Sequence, residues 1–209
     1  MKYAVLEQMV LGMVSTNTYL LKHKETGALL IVDPADEADR IREKIGRMEA
    51  CPAAVLLTHG HFDHMMAAGE IGKEYGIPIY ALEQEKGVLE NPLYNLSGSW
   101  ARACTLRADQ WVQEGSQLSL AGFEIRVLHT PGHTEGSCCY YLPQEELLFS
   151  GDTLFAGSVG RTDFPTSSGA AMKKSLDRLL TELPPETRVC PGHGEETTIA
   201  YEKRYNPFA

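Results

Sequence analysis

Ala53-Ala54-Val55-Leu56-Leu57 is apolar on both faces and too short for a stable helix, so it reads as a buried strand. It runs straight into Thr58-His59-Gly60-His61-Phe62-Asp63-His64. A strand covered on both faces whose carboxyl end carries a dense set of polar side chains constrains the fold strongly. Its flanks need partners in a layered core, while its end must stay open. Helices packed outside β-sheet meet both demands.

The rest of the chain fits that frame. Tyr3–Val10, Thr18–Lys22 and Ala28–Val32 are strand candidates, the last ending at the turn signal Asp33-Pro34. Asp36–Met48 has Ala38, Ile41, Ile45 and Met48 near helical spacing, and a second helix is expected from His64 to Tyr75, before a strand at Ile77–Ala81. Residues 91–107 are irregular. Gln117–Leu120 and Phe123–His129 form a hairpin about Ala121-Gly122. Ser137–Leu142, Glu146–Ser150 and Arg188–Cys190 are further strands. Gly169–Leu183 is a helix stopped by Pro184-Pro185, and Glu195–Arg204 is a last helix. No internal repeat or low-complexity linker interrupts the 209 residues, so one α/β domain over residues 1–209 is the expectation.

Composition narrows the function classes. Nineteen basic against 28 acidic residues give a net charge of −9, which argues against nucleic acid as a partner. No stretch approaches the ~18 apolar residues of a membrane span, and the N-terminal MKYAVLEQMV has no long apolar core, so no signal peptide or membrane anchor is expected. Five cysteines without CxxC spacing suggest reduced thiols and a cytoplasmic protein rather than a disulfide scaffold or thiolate zinc site.

The chemistry gathers at strand ends. Imidazole and carboxylate are preferred ligands of zinc and related divalent ions. In an extended segment His59 and His61 point the same way, and Asp63 and His64 follow at a helix start. His133 in Thr130-Pro131-Gly132-His133 and His193 in Pro191-Gly192-His193-Gly194 each follow a strand and a sharp Pro-Gly turn. Asp152, in Ser150-Gly151-Asp152-Thr153, follows another. Four strand ends presenting ligand types have the geography of an α/β active site.

His59-x-His61-x-Asp63-His64 with His133, Asp152 and His193 resembles the metallo-β-lactamase superfamily, over most of the chain. The resemblance implies a four-layer αβ/βα sandwich, two mixed β-sheets flanked by helices, with metals at the edge between the sheets. It implies that His59, His61 and His133 bind one divalent ion and Asp63, His64 and His193 a second, with Asp152 bridging. Zinc is expected, with iron or manganese as alternatives. Lactamases of the superfamily commonly carry cysteine at the position of Asp152, and diiron flavoproteins carry glutamate at that of His61, so both branches fit less well. Gly151-Asp152-Thr153-Leu154-Phe155 and Gly160-Arg161-Thr162-Asp163-Phe164 resemble the glyoxalase II-like branch, the hydroxyacylglutathione hydrolases, in its short bacterial type. That branch implies hydrolysis of a small-molecule thioester such as S-D-lactoylglutathione by a metal-bridging hydroxide, with Asp63 aiming the nucleophile. Arg161 inherits a candidate contact to the glutathione carboxylate, although the chain ends soon after His193 and lacks the basic C-terminal region of the long form. Two alternatives share this frame. One is a persulfide dioxygenase using a single iron on His59, His133 and Asp152, and the other is hydrolysis of a lactone or phosphodiester.

Other residues carry structural expectations. His23 sits in the charged turn Lys22–Gly27 and is expected at the surface, His129 is expected to pack at its strand end, and Cys190 is expected to be buried. Trp100 and Trp111 are expected to fill the core. Ser15-Thr16-Asn17-Thr18 resembles a stretch common in the superfamily and is assigned no catalysis.

Overall fold

The computed structural model describes residues 1–209. Its first sheet runs in sequence order: β1 (Ala4–Leu11), β2 (Thr16–His23), β3 (Ala28–Val32), β4 (Cys51–Leu56), β5 (Ile79–Leu82) and β6 (Gln110–Val112). β1–β2–β3 pair antiparallel, and β3–β4–β5–β6 pair parallel. The second sheet holds β7 (Gln117–Leu120), β8 (Phe123–His129), β9 (Cys138–Leu142), β10 (Leu147–Gly151), β11 (Arg188–Pro191) and β12 (Thr197–Thr198), with only β10–β11 parallel. The helices are α1 (Ala38–Arg47), α2 (Phe62–Met65), α3 (Ala68–Tyr75), α4 (Lys86–Leu89), α5 (Ser97–Trp100), α6 (Gly169–Glu182) and α7 (Ile199–Tyr205).

Strand periodicity builds four layers. Tyr19, Leu21, Leu30, Val32 and Leu56 face Phe123, Val127, Tyr140 and Phe149 across the inter-sheet core. Their neighbours Leu20, Leu29, Ile31, Val55 and Leu57 point the other way, onto Ile41 and Ile45 of α1 and Ile71 of α3. On the second sheet Leu128, Leu148 and Val189 pack against Leu176, Leu179 and Leu180 of α6 and Ile199 of α7. Side chains alternate across each strand, so both sheets are buried on two faces and helices must cover the outside. This is the expected αβ/βα sandwich.

Several boundaries differ from the sequence reading. The helix expected over 64–75 is broken in two, because the Ala67 N–H donates to Pro34 O at 3.1 Å instead of continuing the helical ladder. The strand expected at Ile77 begins at Ile79, and the final helix begins only at Ile199, after the short strand Thr197–Thr198. β6 lies in a stretch with too few residues for a period to show, and pairing with β5 defines it. His23 is buried at 8% exposure, not solvated. Its ring lies between Tyr3 and Phe123, against the tight 121–122 turn, where a Cβ on Gly122 (φ +84°) would meet it at 3.0 Å.

Candidate metal centre

The carboxyl ends of β4, β8, β10 and β11 open at one edge of the sandwich, and each hands its following turn to the site. The turn after β4 supplies His59, His61, Asp63 and His64, the turns after β8 and β11 supply His133 and His193, and Asp152 stands next to the end of β10. All seven residues expected as ligands converge. Their ligand atoms form three overlapping groups, each within 4.8 Å: His59–His61–His133, His59–His64–Asp152 and Asp63–His64–His193. Asp152 lies between the two halves, with Oδ1 3.5 Å from His64 Nε2 and Oδ2 3.4 Å from His133 Nε2 and 3.6 Å from His193 Nε2.

These residues fit a divalent cation by a direct test. The Nε2 atoms of His59, His61 and His64 and Oδ1 of Asp152 are buried without a hydrogen-bond partner. Buried polar atoms are rarely left so unless something else binds them. The opposite ring nitrogens are engaged: His133 Nδ1 with Arg161 O at 2.8 Å, and His64 Nδ1 with Asp33 Oδ2 at 2.9 Å. Such contacts fix ring orientation; they leave His64 Nε2 free, while His133 Nε2 turns toward His61 Nδ1, 2.9 Å away.

The electrostatics agree. Burial, then the neighbouring imidazoles, pushes His59 well below the usual histidine range, and burial and His133 do the same for His61. Both are neutral at ordinary pH, as a ligand requires. Burial also opposes charge on His64, but Asp63, Asp152 and Asp33 outweigh it and hold the group up to about 10. Burial works against ionisation of Asp63, yet His64 and His193 keep it well below the carboxylate range. Burial likewise opposes charge on His193, but Asp63 and Asp152 raise it, so the carboxylates draw positive charge to the half of the site opposite the neutral His59 and His61.

A supporting layer escaped the sequence reading. Asp33, noted only as a turn signal, accepts from Thr58 N (2.7 Å), Thr58 Oγ1 (2.6 Å) and His64 Nδ1. Buried Glu85 accepts from Gly60 N at 2.6 Å, between His59 and His61, and from Thr134 Oγ1 at 2.9 Å beside His133. The stretch assigned no catalysis has a role in geometry. Thr16 Oγ1 donates to Asp63 Oδ2 at 2.8 Å, and Asn17 Nδ2 donates to Pro191 O and Gly194 O on both sides of His193. The signal in the sequence was the likeness of Ser15-Thr16-Asn17-Thr18 to a stretch common in the superfamily. Gly192 is required sterically, since a Cβ there would lie 2.2 Å from Asp152 Oδ1.

The leftover residues divide. His129 stays outside the centre, with Nε2 bonded to Glu135 O. Cys190 is buried, all five cysteines are free, and Trp111 packs against the outer core of the first sheet. Trp100 does not fill the core. It is 59% exposed and lines the cavity beside the histidines, because the short α5 turn carries it outward. Arg161 lines the same cavity, but its guanidinium pairs with Asp163 at 3.0 and 2.8 Å.

A sandwich with a histidine–carboxylate centre at its open edge is the build of a metal-dependent enzyme. The sequence model of the Metallo-beta-lactamase superfamily matches residues 11–193, and the chain belongs to that superfamily. It is 36% identical over 181 residues to the hydroxyacylglutathione hydrolase GloC of Haemophilus influenzae, covering 85% of each chain. Among solved structures it is similar to BLEG-1 B3 metallo-beta-lactamase (37% identity, TM-score 0.93, 98% of this chain and 99% of that one). A di-iron-bound form of TTHA1623 matches at 37% identity and TM-score 0.86, over 97% and 100% of the two chains. ETHE1 from Myxococcus xanthus matches at 30% and 0.78, over 97% and 83%. The chain is a metallo-hydrolase of this superfamily. No helix in it is long and apolar enough to cross a membrane.

Proposed function

We propose that this protein is a binuclear metal-dependent thioester hydrolase acting on a small molecule, as a single domain in the cytoplasm. The observation that carries the reading is the convergence of five histidines and two aspartates in three overlapping ligand groups. His59, His61 and His133 would hold one ion, Asp63, His64 and His193 the other, and Asp152 would reach both. Zinc, iron and manganese all suit imidazole and carboxylate donors, and the di-iron relative supports iron beside zinc. Bound divalent ions would supply a hydroxide nucleophile near neutral pH and a Lewis acid for the acyl oxygen.

The chain's own residues supply position and proton placement. Asp63 is kept ionised beside His64 and His193, so it accepts a hydrogen bond and aims the nucleophile. Thr16 fixes the rotation of that carboxylate, and Asp33 and Glu85 hold the turn bearing four of the seven groups. No further acid stands in the cavity wall, which suits a thiolate leaving group: a thiol with pKa near about 8.5 departs without the proton an alkoxide needs.

The likeness to ETHE1 favours a second reading, a persulfide dioxygenase using one iron on His59, His133 and Asp152. One experiment separates them. Purified protein with measured metal content is assayed for S-D-lactoylglutathione hydrolysis, for oxygen uptake with glutathione persulfide and, given the likeness to BLEG-1, for β-lactam turnover. Thioester hydrolysis with two metals per chain is expected. Oxygen uptake with one iron would replace this reading.

A further inference from the structure

The cavity beside the histidines has a volume of about 350 Å³, and seven of its fourteen lining residues are hydrophobic. Aromatic rings flank both halves of the centre. Phe164 lies 5.5 Å from the His61 ring and 5.9 Å from that of His133, and Phe155 lies 6.1 Å from His193. Across the opening, Trp100 and Val14 leave 59% and 45% of their surface exposed. Apolar surface left open beside a reactive centre gains free energy when an apolar ligand covers it.

Trp100 is held there by a strained turn. Leu96 just ahead of it has φ +66°, a conformation costly for a branched side chain. Asn95 braces the turn, its Oδ1 accepting from Ser97 N and its Nδ2 donating to Cys104 O, each at 2.9 Å. Strain maintained by two such bonds keeps the indole at the opening rather than in the core.

The charge at the rim is already partnered in part. Arg161 is the one lysine or arginine lining the cavity, and Asp163 takes its guanidinium fork with two parallel bonds. The same guanidinium lies over the Phe164 ring at 4.4 Å. An incoming carboxylate finds Nε and Nη2 already taken, so it is left the Nη1 edge and must face the charge of Asp163.

We infer that the substrate's acyl arm is uncharged and apolar, an aliphatic or aryl acyl thioester, and that its thiol carrier is not selected by a carboxylate. This rests on the thioesterase reading above. The test is factorial: hexanoyl and D-lactoyl thioesters, each on glutathione and on N-acetylcysteamine, with the metal-loaded protein. Hexanoyl is expected to exceed lactoyl in kcat/KM by about tenfold or more on both carriers, with glutathione adding less than about twofold. Trp100→Ala narrows the hexanoyl preference by about fivefold. D-Lactoylglutathione as the fastest of the four, or an acyl preference unchanged in Trp100→Ala, overturns the inference.

A binding readout stands apart from turnover. In Trp111→Phe, Trp100 is the sole indole, and the non-hydrolysable thioether S-hexyl-N-acetylcysteamine is expected to shift its emission at lower concentration than the S-(2-hydroxypropyl) analogue. That shift without hydrolysis of any of the four thioesters refutes the thioesterase and upholds the apolar pocket. Equal response to both thioethers refutes the pocket.

Discussion

Thr16 and Asp63 lie 47 positions apart, yet the hydroxyl of one fixes the carboxylate of the other at 2.8 Å. The same Oδ2 stands 3.3 Å from His193 Nε2 and 3.5 Å from His64 Nε2, so the hydrogen bond sets the face that carboxylate offers a cation. Outer contacts of this kind change metal affinity by about 10–100-fold. Thr16→Val should weaken one of two ions by that factor in a chelator titration while Thr16→Ser restores it. Equal loss of both ions would refute the assignment. Asp63→Ala should lower turnover by about two orders of magnitude or more at full metal occupancy, and a variant near the wild-type rate would remove Asp63 from the chemistry. Gly192→Ala forces a methyl against Asp152 and His64, and the metal content of the purified variant should drop.

At the scale of elements, Glu85 joins the turn after β5 to the turns after β4 and β8. Burial pushes its carboxyl up to about 7 against three hydrogen bonds that favour the charged form. The raised folded value means that the native state keeps a proton the unfolded chain releases above about 4.5. The stabilisation is therefore full below pH 4.5 and is lost as pH rises through 7. A neutral side chain that keeps its acceptor oxygen on the Gly60 N–H leaves Thr134 Oγ1 satisfied, since that hydroxyl has Ser137 Oγ at 2.7 Å as an alternative partner. Glu85→Gln should thus match wild type near pH 5 and gain on it by up to about 3 kcal/mol near pH 8. Urea midpoints at the two pH values check this, and a pH-independent difference would contradict it. In α6, Leu176 is fully buried against the second sheet, and Leu176→Ala should lose about 2–5 kcal/mol in the same assay.

For the whole molecule, the site lies at the open edge of two sheets, so an ion there ties turns from both halves together. Chelation should lower the thermal midpoint, and restoring a divalent ion should recover it, because a ligand of the folded state stabilises by mass action. A midpoint indifferent to chelator in protein shown to carry metal would mean that the halves hold without it.

How much was legible in advance varied with the range of the interactions. Gln117–Leu120, Phe123–His129 and Ala28–Val32 emerged with their observed bounds, because period-two patterning in the first two, an apolar run in the third and the turn residues beside them are local signals. The seven residues of the centre were legible because ligand types clustered at strand ends. Asp33, Glu85 and Thr16 were not, since a carboxylate or hydroxyl acquires its role only when distant turns meet it. His23 and Trp100 exchanged their expected environments for the same reason: polarity along the chain does not say which ring another strand covers, or which turn carries an indole outward. The sequence by itself determined the alternation of strands and helices, the seven histidines and aspartates that meet at the strand ends and, through its motifs, the superfamily, because periodicity and residue chemistry are written locally. Tertiary structure alone decided which atoms support the seven side chains of the centre and that apolar residues make up half of the cavity wall, because those facts are distances between segments far apart in the chain.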